Sequence, residues 1–313
     1  MSGLITATRE TLASNEIDQK IFRRKIFNKN FEENAMTIYN WSDDFNVTEF
    51  PTILAAGDSW FWYPKNNNLL EALARNGKLK SYYANMVRIG KNGETLANFV
   101  DVDGRPGKYS NELNYLLKPL ILDGFTVFMV SGAGNDAIDY SLALKSDCTG
   151  IIDPAGCFDD DGMHGLLKNI SQSIGLLLHE VISAFQRINQ QPCIFLHGYD
   201  YPVPDGRGFA PLPGITTTGP WLSTAMNNCK VSVDLNFRKA IAKILIDKHA
   251  SVFQQYQNST SKIYFIDSRG TLRTDDNYKK DWDNELHPTN SGFNQIVEKK
   301  WIPQFQALGF ANP

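Results

Sequence analysis

Pro51-Thr52-Ile53-Leu54-Ala55-Ala56-Gly57-Asp58-Ser59-Trp60 is an apolar run that ends in Gly-Asp-Ser, where a parallel strand would turn into a helix. In open α/β sheets, ligands bind in the crevice beyond the carboxyl ends of the strands. The Ser59 hydroxyl therefore projects toward the expected pocket rather than the core, and it is a candidate nucleophile. A nucleophilic serine needs a base. One stands near the other end of the chain, in Asp281-Trp282-Asp283-Asn284-Glu285-Leu286-His287-Pro288-Thr289, a short polar loop before a final helical segment.

Working outward, five apolar runs predict strands: Thr52 to Ala56, Ala84 to Ile89, Thr126 to Val130, Cys193 to Gly198 and Lys262 to Ile266. Between and after them, apolar residues recur at three and four positions, which predicts helices over Leu69 to Arg75, Glu112 to Leu122, Leu166 to Ile188, Val233 to Gln257 and Gly292 to Leu308. Alternating β and α elements build a mainly parallel sheet covered on both faces. The fold class expected is α/β: a three-layer α/β/α, flavodoxin-like domain with a parallel sheet of about five strands in the order 2-1-3-4-5. Residues 1–50 carry a mixed-charge stretch, Asp18 to Lys25, and are expected to form an N-terminal helical extension outside a domain spanning 51–313. Two insertions follow predicted strands, at about 140–165 (acidic) and 201–226 (rich in Pro, Gly, Thr and aromatics). Both are candidate lids, because long loops at that edge shape substrate entry.

Composition narrows the function. The 313 residues carry a formal charge of −3 and no long basic run, which argues against nucleic acid or anionic lipid as a partner. No apolar run approaches the roughly 18 residues of a transmembrane helix, and the N-terminus lacks the basic start and apolar core of a secretory signal. A cytoplasmic location is expected. The four cysteines form no Cys-x-x-Cys pair and no zinc pattern. Cys148 and Cys157 are close enough in sequence to close a small loop under oxidising conditions. Asp159-Asp160-Asp161-Gly162 lacks the spaced ligands and closing glutamate of an EF-hand and is read as a solvated acidic loop. No phosphate-binding glycine motif follows a strand, so neither a metal nor a nucleotide cofactor is expected.

Acyl transfer to serine needs an activated hydroxyl, an imidazole held in one tautomer, and donors aimed at the developing oxyanion. The ends of the second and third predicted strands supply Gly90-Lys91-Asn92-Gly93 and Ser131-Gly132-Ala133-Gly134-Asn135-Asp136. A glycine lets its backbone N–H approach a ligand, and an Asn amide is a donor that does not titrate. Taken in order, Gly57-Asp58-Ser59, Gly93, Gly134-Asn135-Asp136 and His287-Pro288 resemble the four blocks of the SGNH, or GDSL, hydrolase family. The resemblance spans residues 52 to about 293.

By that resemblance, Ser59 is the nucleophile, His287 the general base, and the backbone N–H groups of Ser59 and Gly93 with the Asn135 side chain form the oxyanion hole. Family members usually place Asp three residues before the histidine. Here that position is Asn284, flanked by Asp283 and Glu285. The orienting group is expected to be Asp283 through a one-residue bulge, with Asn284 or a backbone carbonyl as the alternative. After Ser59 the chain continues as Trp60-Phe61-Trp62-Tyr63 where the family has leucine. These aromatics are core or rim residues, or the lining of an acyl pocket. Trp60, Tyr199 and Asp200 are candidate substrate-side groups. The function implied is a serine esterase or lipid acylhydrolase acting on a small ester or lipid-like substrate. Alternatives on the same fold are an acyltransferase, a carbohydrate deacetylase and a non-catalytic binding module.

Overall fold

A computed structural model describes residues 37–40, 51–64, 68–80, 83, 85–136, 140–209 and 218–313. The predicted strands are present within a residue or two of their expected bounds, as β2 (Ile53–Gly57), β3 (Asn85–Gly90), β4 (Val127–Ser131), β5 (Cys193–Gly198) and β6 (Ile263–Asp267). A further strand, β1 (Thr37–Asn40), pairs with β3 at the sheet edge. Every pairing is parallel, in the order β1-β3-β2-β4-β5-β6. The expected order 2-1-3-4-5 therefore holds for the five predicted strands, β2 to β6, and the count is corrected to six. The correction falls inside the segment read as a helical extension. Its helical stretch, Asp18 to Lys25, lies outside the described residues.

Alternation within each strand explains why the runs read as continuously apolar. In β2, Leu54 and Ala56 face one layer while Ile53 and Ala55 face the other, and all four are buried. The first layer includes α5 (Asp160–Arg187) and α7 (Leu235–Gln254), which contribute Leu177, Val181, Phe185, Ile241, Leu245 and Phe253. The second includes α2 (Leu69–Asn76), α8 (Asn290–Ile296) and α9 (Ile302–Ala307), with Leu70, Leu73, Phe293, Ile296 and Phe305 inward. Burial on both faces leaves only the strand ends for chemistry.

Three helical expectations change in detail. The stretch Glu112 to Leu122 is two helices, Ser110–Leu116 and Pro119–Leu122, because Pro119 cannot continue the first and starts the second instead. The last helix passes through a π turn, Val297–Trp301, just before Pro303, whose missing N–H opens the ladder there. The acidic run is not a solvated loop: Asp159 caps α5 by accepting from Gly162 N at 2.7 Å, and Asp160 and Asp161 occupy its first turn, where the helix dipole favours negative charge. All four cysteines are free and buried, Cys148 and Cys157 included. Among the described residues, no helix is long and apolar enough to cross a membrane.

The carboxyl ends of β2 and β3 approach closely enough to require glycine. Gly90 has φ +117°, and a Cβ there would lie 2.1 Å from the Gly57 carbonyl oxygen. That close approach lets the loops after β2 and β3 open toward one another.

Candidate active site

Ser59 begins the single-turn helix α1 (Ser59–Trp62), directly after β2. Asp58 holds the turn: its carboxylate accepts from Trp60 N at 3.0 Å and from Ser131 Oγ at 2.9 Å, and the Tyr199 hydroxyl donates to its other oxygen. Burial pushes the Asp58 carboxyl above the usual range, opposed by these donors. The same Tyr199 hydroxyl accepts from Gly134 N at 3.2 Å, so one side chain ties the serine turn to the loop that carries Asn135.

The candidate base meets the candidate nucleophile. His287 Nε2 lies 2.7 Å from Ser59 Oγ, although the two residues are 228 positions apart. His287 Nδ1 lies 3.0 Å from Asn284 Oδ1. That oxygen also accepts from the backbone N–H groups of Leu286 and His287, each at 3.0 Å. Two backbone donors fix which end of the Asn284 amide faces the ring, since the reversed amide would set its NH2 against both. Nδ1 must then carry the proton. Nε2 is left with the lone pair that accepts from Ser59. Burial pushes the His287 imidazole down to about 3, so it is neutral near neutral pH.

The group at Nδ1 is Asn284 and not the expected Asp283, whose carboxylate accepts instead from the Tyr63 hydroxyl at 2.6 Å. The expected bulge does not form, because Asn284 folds back as an Asx turn over the two residues before and at His287. The Asn284 amide nitrogen in turn donates to the Tyr63 hydroxyl at 2.8 Å. The Tyr63 ring stacks on His287, with centroids 4.3 Å apart and planes 14° from parallel.

The oxyanion-hole candidates share one cavity with the serine. Gly93 has φ +82°, a conformation that favours glycine, and Asn92, Gly93 and Asn135 line the space beside Ser59 and His287. Asn135 Nδ2 donates one proton to the Glu94 carbonyl at 3.0 Å, joining the loops after β3 and β4. An Asn amide has two such protons, and the second is available to the cavity. Asp136 accepts from Leu96 N at 2.9 Å, and burial pushes its carboxyl up to about 6.

Two lobes meet at the Ser59–His287 pair. The wider, about 210 Å³, is walled by Tyr63, Pro64, Phe209, Trp221 and Leu286. The narrower, about 30 Å³, is walled by Trp60, Gly134, Tyr199, Pro202 and Ile246. Of the expected substrate-side groups, Trp60 is a wall of the narrow lobe, packed 5.1 Å from Tyr199 and 5.4 Å from Phe293. Tyr199 also lines it, but its hydroxyl is engaged with Asp58. Asp200 also lines the narrow lobe, and its oxygens accept from four backbone N–H groups, of Tyr201, Gly270, Thr271 and Leu272, which anchors the loop after β6.

From the sequence, Glu285 is only a flank of Asn284, with no role assigned. Its buried carboxylate accepts from Gly206 N, Trp221 N, Leu222 N and Ser223 N at 2.8–3.1 Å, pinning both flanks of the second insertion to the histidine loop. Residues 210–217 of that insertion lie outside the described residues, and its end forms the helix Leu222–Asn228. A carboxylate in a histidine loop gives no signal of its own partners. Tyr63 was noticed only as one of four aromatics.

Neither a family model nor a curated relative matches the chain. Solved structures that align with it include a lipase from a goat rumen metagenome, 15% identical, covering 83% of this chain and 98% of that one at a TM-score of 0.42. An aryl esterase of M. smegmatis is 18% identical over 82% of this chain and 99% of its own, at a TM-score of 0.41. A carbohydrate esterase of family 3 from Talaromyces cellulolyticus is 12% identical, covering 82% and 97%, at a TM-score of 0.40.

Proposed function

We propose that the chain is a serine ester hydrolase of the SGNH, or GDSL, type, working through Ser59, His287 and Asn284. The observation that carries this is the 2.7 Å contact between Ser59 Oγ and His287 Nε2, with the far side of the ring held by Asn284 Oδ1 at 3.0 Å. A buried neutral imidazole with its lone pair on a hydroxyl is arranged to take a proton. His287 removes the Ser59 proton as Oγ attacks the acyl carbon. Ser59 N, Gly93 N and Asn135 Nδ2 receive the negative oxygen. The imidazolium then gives its proton to the departing alkoxide. In the second half, His287 takes a proton from water, whose oxygen attacks the acyl-enzyme, and the same proton returns to Ser59 as the acid leaves.

The two lobes support a substrate of unequal halves. The narrow lobe is much the smaller of the two, at about 30 Å³ against about 210 Å³, and it is assigned a short acyl group such as acetyl. The wider lobe takes an apolar or aromatic alcohol portion, matched by Tyr63, Phe209 and Trp221. It is also bordered by the second insertion, through Phe209, Thr218 and Trp221.

A p-nitrophenyl ester series of acetyl, butanoyl and octanoyl groups tests the assignment on the wild type and Ser59→Ala. The expected result is a maximum in kcat/KM at acetyl and a loss of at least about 10³-fold in Ser59→Ala. Equal turnover by the two proteins would remove Ser59 from the mechanism, and a maximum at octanoyl would overturn the lobe assignment. Adding competing alcohols to the assay separates hydrolysis from acyl transfer by the products formed.

A further inference from the structure

Behind the histidine, four hydrogen bonds run in series. Asp283 Oδ2 accepts from Tyr63 Oη at 2.6 Å, Tyr63 Oη accepts from Asn284 Nδ2 at 2.8 Å, Asn284 Oδ1 lies 3.0 Å from His287 Nδ1, and His287 Nε2 lies 2.7 Å from Ser59 Oγ. The direction of each donor is fixed. Backbone N–H groups orient the Asn284 amide, its NH2 can only donate, and the Tyr63 hydroxyl must therefore pass its own proton to the carboxylate. Burial, then the neighbouring Asp283 carboxylate, push the Tyr63 phenol up and keep it protonated.

We propose that Tyr63 and Asp283 are positioning residues for His287, through which a carboxylate two hydrogen bonds away polarises the neutral Asn284 amide toward the imidazolium that forms during catalysis. This rests on the ester-hydrolase assignment of Ser59 and His287. A neutral amide alone holds the tautomer but gives the imidazolium no charge to face. Hydrogen bonds in series polarise one another, so a negative group at the far end strengthens the dipole of every link. Asp283 itself is exposed, and solvent screens its direct Coulomb attraction for His287. Its influence must travel through Tyr63. The stacked ring adds a second contribution, because an aromatic face 4.3 Å away favours a cation.

The other charged groups around His287 do not substitute for this chain. Glu285 is turned to the backbone of the second insertion, and Asp58 is bound to Trp60 N, Ser131 and Tyr199 on the far side of the serine. Arg207 reaches the loop only through the backbone carbonyls of Trp282 and Asp283, at 3.1 and 2.8 Å, while pairing with the Asp205 carboxylate. Asp136 lies beside Asn135 in sequence and is bonded to Leu96 N.

The test is a double-mutant cycle in the full chain with Tyr63→Phe, Asp283→Asn and both together. Tyr63→Phe keeps the stacked ring and removes the two hydrogen bonds. Two readouts are taken: kcat and KM for p-nitrophenyl acetate across pH, and the proton resonance of His287 Nδ1 in the resting protein. The expected result for each single variant is a loss of about three- to tenfold in kcat with KM nearly unchanged, the size of one weakened charge-assisted hydrogen bond. The acid limb of kcat/KM moves to lower pH, since the imidazolium loses support. Asp283→Asn has no further effect once Tyr63 is Phe, and the Nδ1 resonance moves upfield by the same amount in all three variants. Asp283→Glu, which keeps the charge, recovers part of the rate.

Losses that multiply in the double variant would overturn the relay, as would an Nδ1 resonance that does not move. The resonance is read without turnover. If Ser59→Ala retained full activity, the ester-hydrolase assignment would fail while the resonance still decided the relay.

Discussion

At the scale of single residues, the decisive feature is a neutral third member. Asn284 fixes the tautomer of His287 as a carboxylate would, but its dipole supports the imidazolium only weakly. Asn284→Asp would place a full charge 3.0 Å from Nδ1, with the one proton of the Tyr63 hydroxyl shared between the carboxylates at 283 and 284. A carboxylate favours the charged ring, so the His287 pKa rises from about 3. Less of the base is then neutral at any acid pH, and the acid limb of kcat/KM moves to higher pH by at least about one unit. Asp136 also titrates in this window, at about 6, and combining both proteins with Asp136→Asn isolates the histidine limb. An unmoved limb would mean that residue 284 does not face the ring. The proposed nucleophile, base and oxyanion donors were legible as positions because strand ends and the last loop mark them in the chain. The orienter was not: whether residue 283 or 284 turns inward depends on an Asx turn whose partners are backbone N–H groups, and these have no signature in residue type.

At the scale of elements, what holds the active site is a set of buried carboxylates spent on backbone amides. Glu285 joins the histidine loop to Gly206 and to the start of the helix Leu222–Asn228 through four N–H groups, two on each oxygen. Glu285→Gln would set an NH2 against two of those donors whichever way the amide turns, leaving them unsatisfied at a cost of roughly 2–5 kcal/mol. The expected outcome is a lower melting temperature, faster proteolytic cleavage between Arg207 and Trp221, and a higher KM for bulky alcohol portions. Wild-type cleavage rates and KM would show that the insertion is held by other contacts. The main strands and helices were legible from apolar runs and three-four spacing, since each buries a defined face. β1 was not, because a four-residue strand, Thr-Ile-Tyr-Asn, carries too short a pattern and owes its existence to the exposed edge of β3.

At the scale of the whole molecule, three buried histidines set its response to acid. Burial pushes His197 and His287 down to about 3 and His249 to about 4. Each takes up a proton near pH 6.5 when unfolded and only near its depressed value when folded, so the stability each contributes is full above about 6.5 and is lost as pH falls toward its folded value. Asp136 and Asp200, both raised to about 6 by burial, act in the opposite sense and become less costly as pH falls from 6 toward 4. His197 packs among Trp60, Tyr199 and Trp301 with its ring tilted or edge-on to each, and neither ring nitrogen has a hydrogen-bond partner among the described residues. His197→Phe should therefore reduce the difference in unfolding free energy between about pH 8 and about pH 4.5 by roughly 2–3 kcal/mol, measured by urea titration at each pH. An unchanged difference would mean that His197 is protonated in the folded protein. Short-range periodicity and the places where strands end were enough to read the layers, the five strands β2 to β6 and the addresses of Ser59, Gly93, Asn135 and His287 from the chain, while the strand order came with the flavodoxin-like expectation. Only the tertiary structure decided which group orients the imidazole, that Tyr63 and Asp283 stand behind it, and that Glu285 holds the second insertion. Those depend on hydrogen bonds between residues as much as 221 positions apart, formed only once packing has brought their loops to one end of the sheet.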